Sequence, residues 1–215
     1  MKKGRRYDTS GIAEAEFEPG SGHRVLKNLL GIKRKREMDQ IETRELLRAH
    51  EEIVAFYDRD HRFSSHDICK MHKIWLGPIY PWAGQYRRVN LTRDNFTFAA
   101  ASQIPALMGD LEEGPLRTYT PCVFSSTDDI VTAISTVHVE LVLVHPFREG
   151  NGRLARLVAT LMALQGGLPP LDFGGIRGQV KQEYFLAVRA GLDRDYKPME
   201  RIISAVISRT LRQYS

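Results

Sequence analysis

Two apolar helical segments separated by a short polar loop constrain the fold of this 215-residue chain more than any other feature. From Ile130 to Val144 the apolar residues recur on one helical stripe, and the Ser, Thr and Asp residues at 125–129 supply caps and negative charge before it. A second apolar helix is predicted from Leu154 to Leu164, with glycines at 166 and 167 as its end. We expect the first helix to be central and buried.

The remaining sequence predicts further helices and one interruption. Between 80 and 99, proline, glycine and asparagine break any helix, and short extended-type stretches at 89–92 and 96–98 predict a β-hairpin. Ser64 or Ser65 is expected to cap a helix that ends at Gly77. The other predicted segments are a loop at 114–121 and helices at 37–58, 104–111, 180–190 and 199–211. The fold class is therefore all-α with one small β-hairpin.

The length of the chain fits one domain with a short N-terminal extension. Hydrophobic residues make up 42% of the sequence and charged residues 27%, which is enough to bury one sizeable core. Residues 1–22, with helical character at 10–17, are predicted to be an N-terminal arm. Residues 23–215 are predicted to form a single domain whose core covers about 60–205.

Composition argues against several classes of function. The net charge is +5 and residues 33–36 are all basic, but acidic residues follow at once and no aromatic residue interleaves them, so nucleic-acid binding is not favoured. No apolar run approaches the roughly 20 residues that span a bilayer, and the basic start is not followed by a signal-peptide segment. Cys69 and Cys122 lack metal-type spacing. These features predict a cytoplasmic protein with no membrane partner.

The loop between the two apolar helices carries residue types that suit chemistry on a phosphate group. Pro146 ends the first helix at His145, because the residue before a proline is biased away from helical geometry. Gly150, Asn151 and Gly152 then form a turn that runs into the N-terminus of the next helix. Free backbone amides and the positive end of a helix dipole attract phosphates, so we expect an anion site here.

Charged side chains complete the predicted site. Arg153 and Arg156 lie three residues apart and can hold phosphate oxygens. Glu149 offers one carboxylate to a magnesium ion that takes most of its ligands from water and phosphate. His145 can take a proton from an attacking hydroxyl, because imidazole titrates near neutral pH. By themselves these residues predict phosphoryl or nucleotidyl transfer.

Simpler interpretations exist for the same residues. A histidine before a proline is most often a packed helix terminus, and Gly-Asn-Gly alone is a common turn. A metal site formed by His138, Glu140 and His145 lacks the metalloprotease spacing and is not favoured. What favours catalysis is the series of base, carboxylate, glycine-rich turn and paired arginines within 12 residues.

The sequence of this loop also resembles a family signature. Residues 145–156, His-Pro-Phe-Arg-Glu-Gly-Asn-Gly-Arg-Leu-Ala-Arg, match in full the signature of the Fic family, and the resemblance extends from the segment 80–87 to about Met199. It implies a Fic-type helical catalytic domain with a hairpin flap. It also implies a protein adenylyltransferase, which moves AMP from ATP to a Ser, Thr or Tyr hydroxyl of a target protein and acts as a toxin or regulatory enzyme.

The resemblance implies a role for each residue of the loop. His145 would be the general base for the target hydroxyl, Phe147 a core anchor and Glu149 the magnesium ligand. The nucleotide and its phosphates would be held by Arg148, Gly150, Asn151, Gly152, Arg153 and Arg156.

The hairpin and one tyrosine would contact the substrates. By the same resemblance, the hairpin would hold the target segment as an added strand. Its residues are Val89, Asn90, Leu91, Phe96, Thr97 and Phe98. For at least one of the two phenylalanines, a core-facing position is the alternative. Tyr184 is a candidate neighbour of the adenine, with a packed core tyrosine as the alternative.

One position of the signature separates reactions within the superfamily. The related Doc toxins carry a lysine where this chain has Gly150 and use ATP to phosphorylate, so Gly150 favours AMP transfer. Two alternatives remain. One is a protein phosphotransferase or a transferase of another phosphate-linked group, and the other is a catalytically silent module that binds peptides on its hairpin.

Many relatives are restrained by an inhibitory helix of pattern Ser/Thr-x-x-x-Glu-Gly/Asn, whose glutamate pairs with the second arginine of the signature. Here that arginine is Arg156. The nearest match to the pattern runs from Ser10 through Glu14 to Ala15, and Ala15 departs from the last position. A lock between Glu14 and Arg156 is one prediction, and a separate small antitoxin protein that supplies the glutamate is the other.

Overall fold

The computed structural model describes residues 13–93 and 96–214, which form a set of packed helices with one small β-hairpin. Strands β1 (Thr92–Arg93) and β2 (Phe96–Thr97) pair antiparallel, with Thr92 opposite Thr97. The predicted all-α class with a hairpin is confirmed. The helices are α1 (Lys35–Phe56), α2 (Ser65–Leu76), α3 (Ile104–Leu111), α4 (Arg117–Tyr119), α5 (Thr127–Val144), α6 (Asn151–Gln165), α7 (Gly178–Ala190) and α8 (Lys197–Tyr214).

Helix α5 lies at the centre of the fold, as its apolar stripe predicts. Ser126 caps it, because the Ser126 side chain accepts a hydrogen bond from the Asp129 backbone N–H. The helix contacts α3, α6, α7 and α8, and side chains such as Ile134 and Leu141 are buried in the shared core. Each such side chain contributes about 1.5–3 kcal/mol on burial, so α5 holds its C-terminal end firmly in place.

Helix α2 begins with a capping box at Ser64, which decides between the two predicted caps. The Ser64 side chain accepts from the Asp67 N–H, and the Asp67 carboxylate accepts from the Ser64 N–H. The buried face of α2 carries Met71, His72 and Trp75. His72 and Trp75 reach the loop that follows α5, where they lie beside Glu149 and Gly150.

Two of the differences from the predicted boundaries have a local reason. Helix α6 begins at Asn151 rather than at residue 154, because Gly150 caps it in a left-handed conformation, with φ +87°, and turns the chain directly into the helix. The predicted loop at 114–121 is wrong in its first part, since a π-helical turn, Glu112–Leu116, leads into α4. That wider turn accommodates Pro115, which has no N–H to donate.

The N-terminal arm is described from residue 13 onward. Of the helix predicted at 10–17, residues Ala13–Ala15 form a single 3-10 turn, and residues 10–12 lie outside the described part. Phe17 and Leu26 then pair in an isolated antiparallel bridge. None of the helices within 13–93 and 96–214 has both the length and the apolar character needed to cross a bilayer.

Candidate active site

The end of α5 holds the His145 imidazole in a defined orientation. His145 is the C-cap residue, with φ +51°, and its backbone N–H donates to Leu141 O at 3.1 Å. Its Nδ1 atom lies 3.1 Å from Val142 O. Because a carbonyl oxygen only accepts, Nδ1 carries the proton of the neutral ring and Nε2 keeps a lone pair. A general base needs such a lone pair.

The surroundings of His145 keep its imidazole neutral. The pKa of His145 is lowered to about 4, chiefly by burial and in smaller part by the positive charges of Arg87 and Arg93. The Phe98 ring, which comes from the hairpin, stacks on the imidazole with ring centroids 3.7 Å apart and planes 21° from parallel. At neutral pH His145 is therefore an unprotonated base that the hairpin partly covers.

The Asn151 side chain braces the loop after His145. Its Oδ1 accepts from the Phe147 N–H at 2.9 Å, and its Nδ2 donates to Phe147 O at 2.7 Å. Phe147 is fully buried and stacks on His72, with centroids 3.9 Å apart, as a core anchor would. Because the amide is used in this way, the contribution of Asn151 to an anion site is restricted to its backbone N–H.

His72 holds the other end of the loop, and sequence reasoning missed it. Its Nδ1 accepts from the Gly84 N–H at 2.8 Å, so Nε2 carries the proton and donates to Glu149 O at 3.1 Å. Burial lowers the pKa of His72 to about 4, which keeps the ring neutral and this pattern intact. The sequence did contain a signal for this role, because His72 lies between Met71 and Trp75 on the face of α2 that is buried.

Gly150 is required by both backbone and packing. Its φ of +87° lies in the region that favours glycine, and a Cβ atom there would stand 2.7 Å from Trp75 Cζ3. Neither the lysine of the Doc toxins nor any other side chain fits at this position unless Trp75 moves. Glycine is thus the residue that the fold demands at position 150.

The first turn of α6 presents backbone donors and one arginine. The first helical hydrogen bond runs from the Leu154 N–H to Gly150 O, so the amides of Asn151, Gly152 and Arg153 have no partner within the helix. Arg156 lies one turn further on, where its Nε donates to Gly152 O at 3.2 Å. No ion pair engages Arg156 within the described residues. This end of α6 suits a phosphate.

A cavity of about 540 Å³ joins the base to this anion site. Its volume is within the usual range for a small-molecule site. It is lined by Phe96 and Phe98 of the hairpin, by His145, Gly152 and Arg156, and by Tyr184 and Arg189 of α7. Both hairpin phenylalanines are half-buried and face this cavity, so neither is simply a core residue.

Two of the predicted phosphate ligands are directed elsewhere. Arg153 Nη2 lies 2.6 Å from Glu42 Oε2 and 3.4 Å from Glu149 Oε1, and its guanidinium stands over the Trp75 ring at 4.7 Å. Arg148 donates from Nε to Glu14 O at 3.0 Å. Neither arginine is among the described residues that line the cavity, because each is held by a partner outside it.

Glu42 is a second functional candidate that the sequence reasoning missed. Its side chain is 1% exposed, and besides Arg153 it accepts a hydrogen bond from the Tyr80 hydroxyl at 2.7 Å. The sequence signal for a buried carboxylate was that Glu42 shares a face of α1 with Met38 and Ile53, which are both buried. A buried carboxylate needs such partners, so Glu42 fixes the position of Arg153.

The predicted lock between Glu14 and Arg156 is not formed in the structure. The Glu14 side chain is buried, and its carboxylate accepts a hydrogen bond from the backbone N–H of Arg88, at the start of the hairpin segment. No ion pair between Glu14 and Arg156 occurs in the described part of the chain. Ser10, the other predicted inhibitory residue, lies outside the described residues.

The hairpin is anchored at its base and exposed at its edge. The Phe98 N–H donates to Leu91 O at 3.1 Å, and Asn90 Oδ1 accepts from the Ala101 N–H at 2.8 Å. Thr97 is exposed on β2. These contacts leave the outer edges of a two-stranded sheet available to an added strand.

Tyr184 is packed in the core and also faces the cavity. It is buried and lines the cavity. His138 Nδ1 lies 3.1 Å from Ala155 O and therefore carries the proton, so His138 Nε2 accepts from the Tyr184 hydroxyl at 2.8 Å. Burial lowers the pKa of His138 to about 4 and keeps it neutral. His138 is thus fully occupied in positioning Tyr184.

Comparisons with known proteins identify similar sequences. Residues 62–163 match the model of the Fic/DOC family. The chain is similar to protein adenylyltransferase VbhT of Bartonella schoenbuchensis, with 30% identity over 221 residues that cover 98% of this chain and 41% of the relative. It is also similar to protein adenylyltransferase Fic of Nematostella vectensis, with 28% identity over 152 residues, 69% of this chain and 33% of the relative. The chain spans less than half the length of these curated relatives.

Solved structures share the fold. BepC of Bartonella tribocorum, determined with bound AMPPNP, superposes with a TM-score of 0.72 at 19% identity and covers 91% of this chain and 97% of its own. The N-terminal Fic domain of a cell filamentation protein from Bartonella quintana, determined with ADP, gives 0.72 at 22% identity and covers 91% and 95%. At these identities the likeness establishes the fold alone.

Proposed function

The chain belongs to the Fic/DOC family, and we propose that it is a protein adenylyltransferase, which transfers AMP from ATP to a Ser, Thr or Tyr hydroxyl of a target protein. One observation carries the proposal. His145 lines the same cavity as Arg156 and the N-terminal turn of α6, and its neutral ring keeps a free lone pair on Nε2. A base and an anion site in one cavity are what nucleotidyl transfer requires.

In the proposed reaction, His145 Nε2 takes the proton of the target hydroxyl as the hydroxyl oxygen forms a bond to the α-phosphorus of ATP. The bond between that phosphorus and the oxygen that bridges to the β-phosphate breaks, and pyrophosphate leaves. Arg156 and the free amides of α6 face the phosphates and stabilise their negative charge. The adenine occupies the side of the cavity lined by Tyr184.

Glu149 fits the magnesium ion that the family implies. Among the described residues no group of three or more His, Cys, Asp or Glu side chains could form a complete metal site. The Glu149 carboxylate is 39% exposed, and the Gly150 N–H orients its Oε1 at 2.9 Å. A single oriented carboxylate suits an ion that takes its other ligands from water and phosphate. When bound, the ion would supply positive charge beside the phosphates.

The hairpin is the proposed docking site for the target. A segment of the target would pair with an open edge of the hairpin, so that main-chain hydrogen bonds hold it and its hydroxyl side chain enters the cavity. Phe98 of the hairpin stacks on the His145 ring, and Phe96 packs edge-on against Phe98. This arrangement selects a target by its extended conformation and brings any of the three hydroxyl residues to the base.

Regulation is proposed to come from a separate antitoxin protein rather than from Glu14. The Glu14 carboxylate is engaged by the Arg88 N–H, whereas Arg156 lines the open cavity. A Glu14→Gln variant keeps an acceptor for Arg88 and removes the charge, and we expect its AMP transfer to equal that of the unmodified chain. Faster transfer by Glu14→Gln would instead favour the intramolecular lock.

The proposed place of action is the cytoplasm. Cys69 and Cys122 are free thiols, which suits a reducing compartment.

The proposal is tested with ATP labelled either at the α- or at the γ-phosphate, incubated with magnesium and a cell lysate. Label on protein from the α position alone is the expected result. A His145→Ala variant should lose the label, whereas His66→Ala, which removes an exposed histidine on α2, should keep it. Label from the γ position would make the chain a phosphotransferase. If folded protein gives no label and His145→Ala still captures the same proteins, a peptide-binding module is correct.

A further inference from the structure

Arg87 is a buried cation whose hydrogen bonds all go to backbone carbonyls. Its side chain is 1% exposed, and within the described residues no carboxylate forms an ion pair with it. Its Nε donates to His145 O at 2.7 Å, and one Nη donates to Val89 O at 2.8 Å. The other Nη donates to Ala99 O at 2.6 Å and, over a longer distance of 3.5 Å, to Val144 O. Its own backbone N–H donates to Pro146 O at 2.8 Å.

These four carbonyls belong to two parts of the proposed site, the hairpin and the C-terminus of α5. Val89 precedes β1 and Ala99 follows β2, so they are the two ends of the hairpin. His145 O belongs to the residue that carries the base, at the C-terminus of α5. The negative end of that helix dipole favours a cation, which offsets part of the cost of burying a guanidinium. One side chain therefore ties both ends of the hairpin to the backbone of His145.

The conformation of His145 needs such support. A φ of +51° is uncommon for a residue other than glycine and costs free energy that the surroundings must offset. The guanidinium hydrogen bond to its carbonyl and the Nδ1 contact with Val142 O restrain its backbone and its ring. A displacement of the hairpin would be transmitted through the same guanidinium to this residue.

We propose that Arg87 is a positioning residue that couples occupation of the hairpin to the orientation of the His145 imidazole. A target strand that pairs with the hairpin fixes Val89 and Ala99, and through Arg87 it fixes the backbone that carries the base. Transfer to a docked protein is thereby favoured over reaction with a water molecule that has not engaged the hairpin. The kinetic part of this inference rests on the proposed adenylyltransferase function, whereas the structural coupling does not.

The test compares Arg87→Lys with Arg88→Lys, the same change at the exposed neighbour. A lysine keeps the charge but concentrates its donors on one atom, so it cannot bond to both ends of the hairpin and to His145 as a planar fork does. Circular dichroism confirms that both variants are folded. We then measure hydrogen exchange of the Phe98 amide, the NMR titration of the His145 ring, and AMP transfer to a hairpin-binding target.

In Arg87→Lys we expect at least tenfold faster exchange of the Phe98 amide and an altered tautomer or pKa of the His145 ring. The kcat for AMP transfer should fall about 100-fold, the scale for a misplaced reacting group, while KM for ATP changes less than threefold. Arg88→Lys should change none of these. A folded Arg87→Lys protein with unchanged exchange and an unchanged His145 titration refutes the coupling. If kcat falls and ATP binding is lost to the same extent, Arg87 has only a structural role, and the coupling is refuted as well.

Two controls allow the coupling to be tested even if Arg87→Lys does not fold or if the proposed function is wrong. If Arg87→Lys does not fold, the Nε proton of Arg87 is observed in the unmodified protein labelled with nitrogen-15 arginine. Slow exchange relative to Arg88 supports the clamp, and equal exchange rules it out. If the unmodified protein transfers no AMP, the proposed function has failed, and the exchange and titration data still decide whether Arg87 couples the hairpin to His145.

Discussion

A methyl group at Gly150 should destabilise the protein more than its size suggests. In Gly150→Ala the residue must keep a φ of +87°, which costs an L-residue about 1–2 kcal/mol. Its Cβ would stand 2.7 Å from Trp75 Cζ3 and 3.0 Å from Trp75 Cη2, and overpacking of this kind costs about 1–3 kcal/mol. Together these terms predict that the free energy of unfolding falls by about 2–5 kcal/mol.

Gly152→Ala is the matched control for this prediction. Gly152 also lies in the first turn of α6, but its φ is not positive and its nearest neighbour for a Cβ is Arg156 Nη2 at 3.9 Å. Alanine is a better helix former than glycine, so Gly152→Ala should change stability by no more than about 1 kcal/mol, in the stabilising direction. Urea unfolding followed by circular dichroism measures both variants.

A Trp75→Phe background separates the two causes of the predicted loss at Gly150. Phenylalanine lacks the outer indole atoms that a Cβ at 150 would meet, although the contact with Leu76 Cδ1 at 3.2 Å remains. In that background Gly150→Ala should therefore lose mainly the backbone part, about 1–2 kcal/mol. An equal loss in both backgrounds would reject the packing argument. Equal stability of Gly150→Ala and Gly152→Ala would reject the reasoning as a whole.

Phe98→Ala uncovers the His145 ring, so the pKa of His145 should rise from about 4 towards its ordinary value of 6.5. In the proposed reaction only the neutral base is active, so the transfer rate is lost as the pH falls through this pKa. The acidic limb of the rate profile should therefore move to higher pH, and an unmoved limb would show that the hairpin does not cause the shift. Glu42→Gln removes the buried partner of Arg153 and should lower the free energy of unfolding by about 1–3 kcal/mol in urea denaturation. The same change at exposed Glu37 should stay within about 0.5 kcal/mol, and equal effects would contradict the role of the buried pair.

The helices, their caps and the residues of the loop were predictable because the interactions behind them are local. Apolar residues three and four positions apart identify α5, and a side chain three residues before its backbone donor identifies a cap such as Ser126. The π-helical turn at Glu112–Leu116 was missed, since glycine and proline usually end a helix and here Pro115 is accommodated within one.

Arg87, His72 and Glu42 were missed because their partners are distant in the sequence. The hydrogen bonds that they make with His145, Glu149 and Arg153 join residues 58, 77 and 111 positions apart. Contacts of this kind leave no periodic pattern in the chain. Only a charged or polar residue on an otherwise buried helix face, such as Glu42 on α1, gave a signal.

By itself the sequence determined the helical architecture and the hairpin, and it named the residues proposed here as the base, the magnesium carboxylate and the glycine-rich turn. Tertiary structure decided which of them meet. It brings Arg156 to the cavity and holds Arg153 on Glu42, and it sets the proton on Nδ1 of His145. The reason is physical: periodicity and capping act within one or two helical turns, whereas burial, pKa and hydrogen-bond partners depend on segments that meet only when the chain is folded.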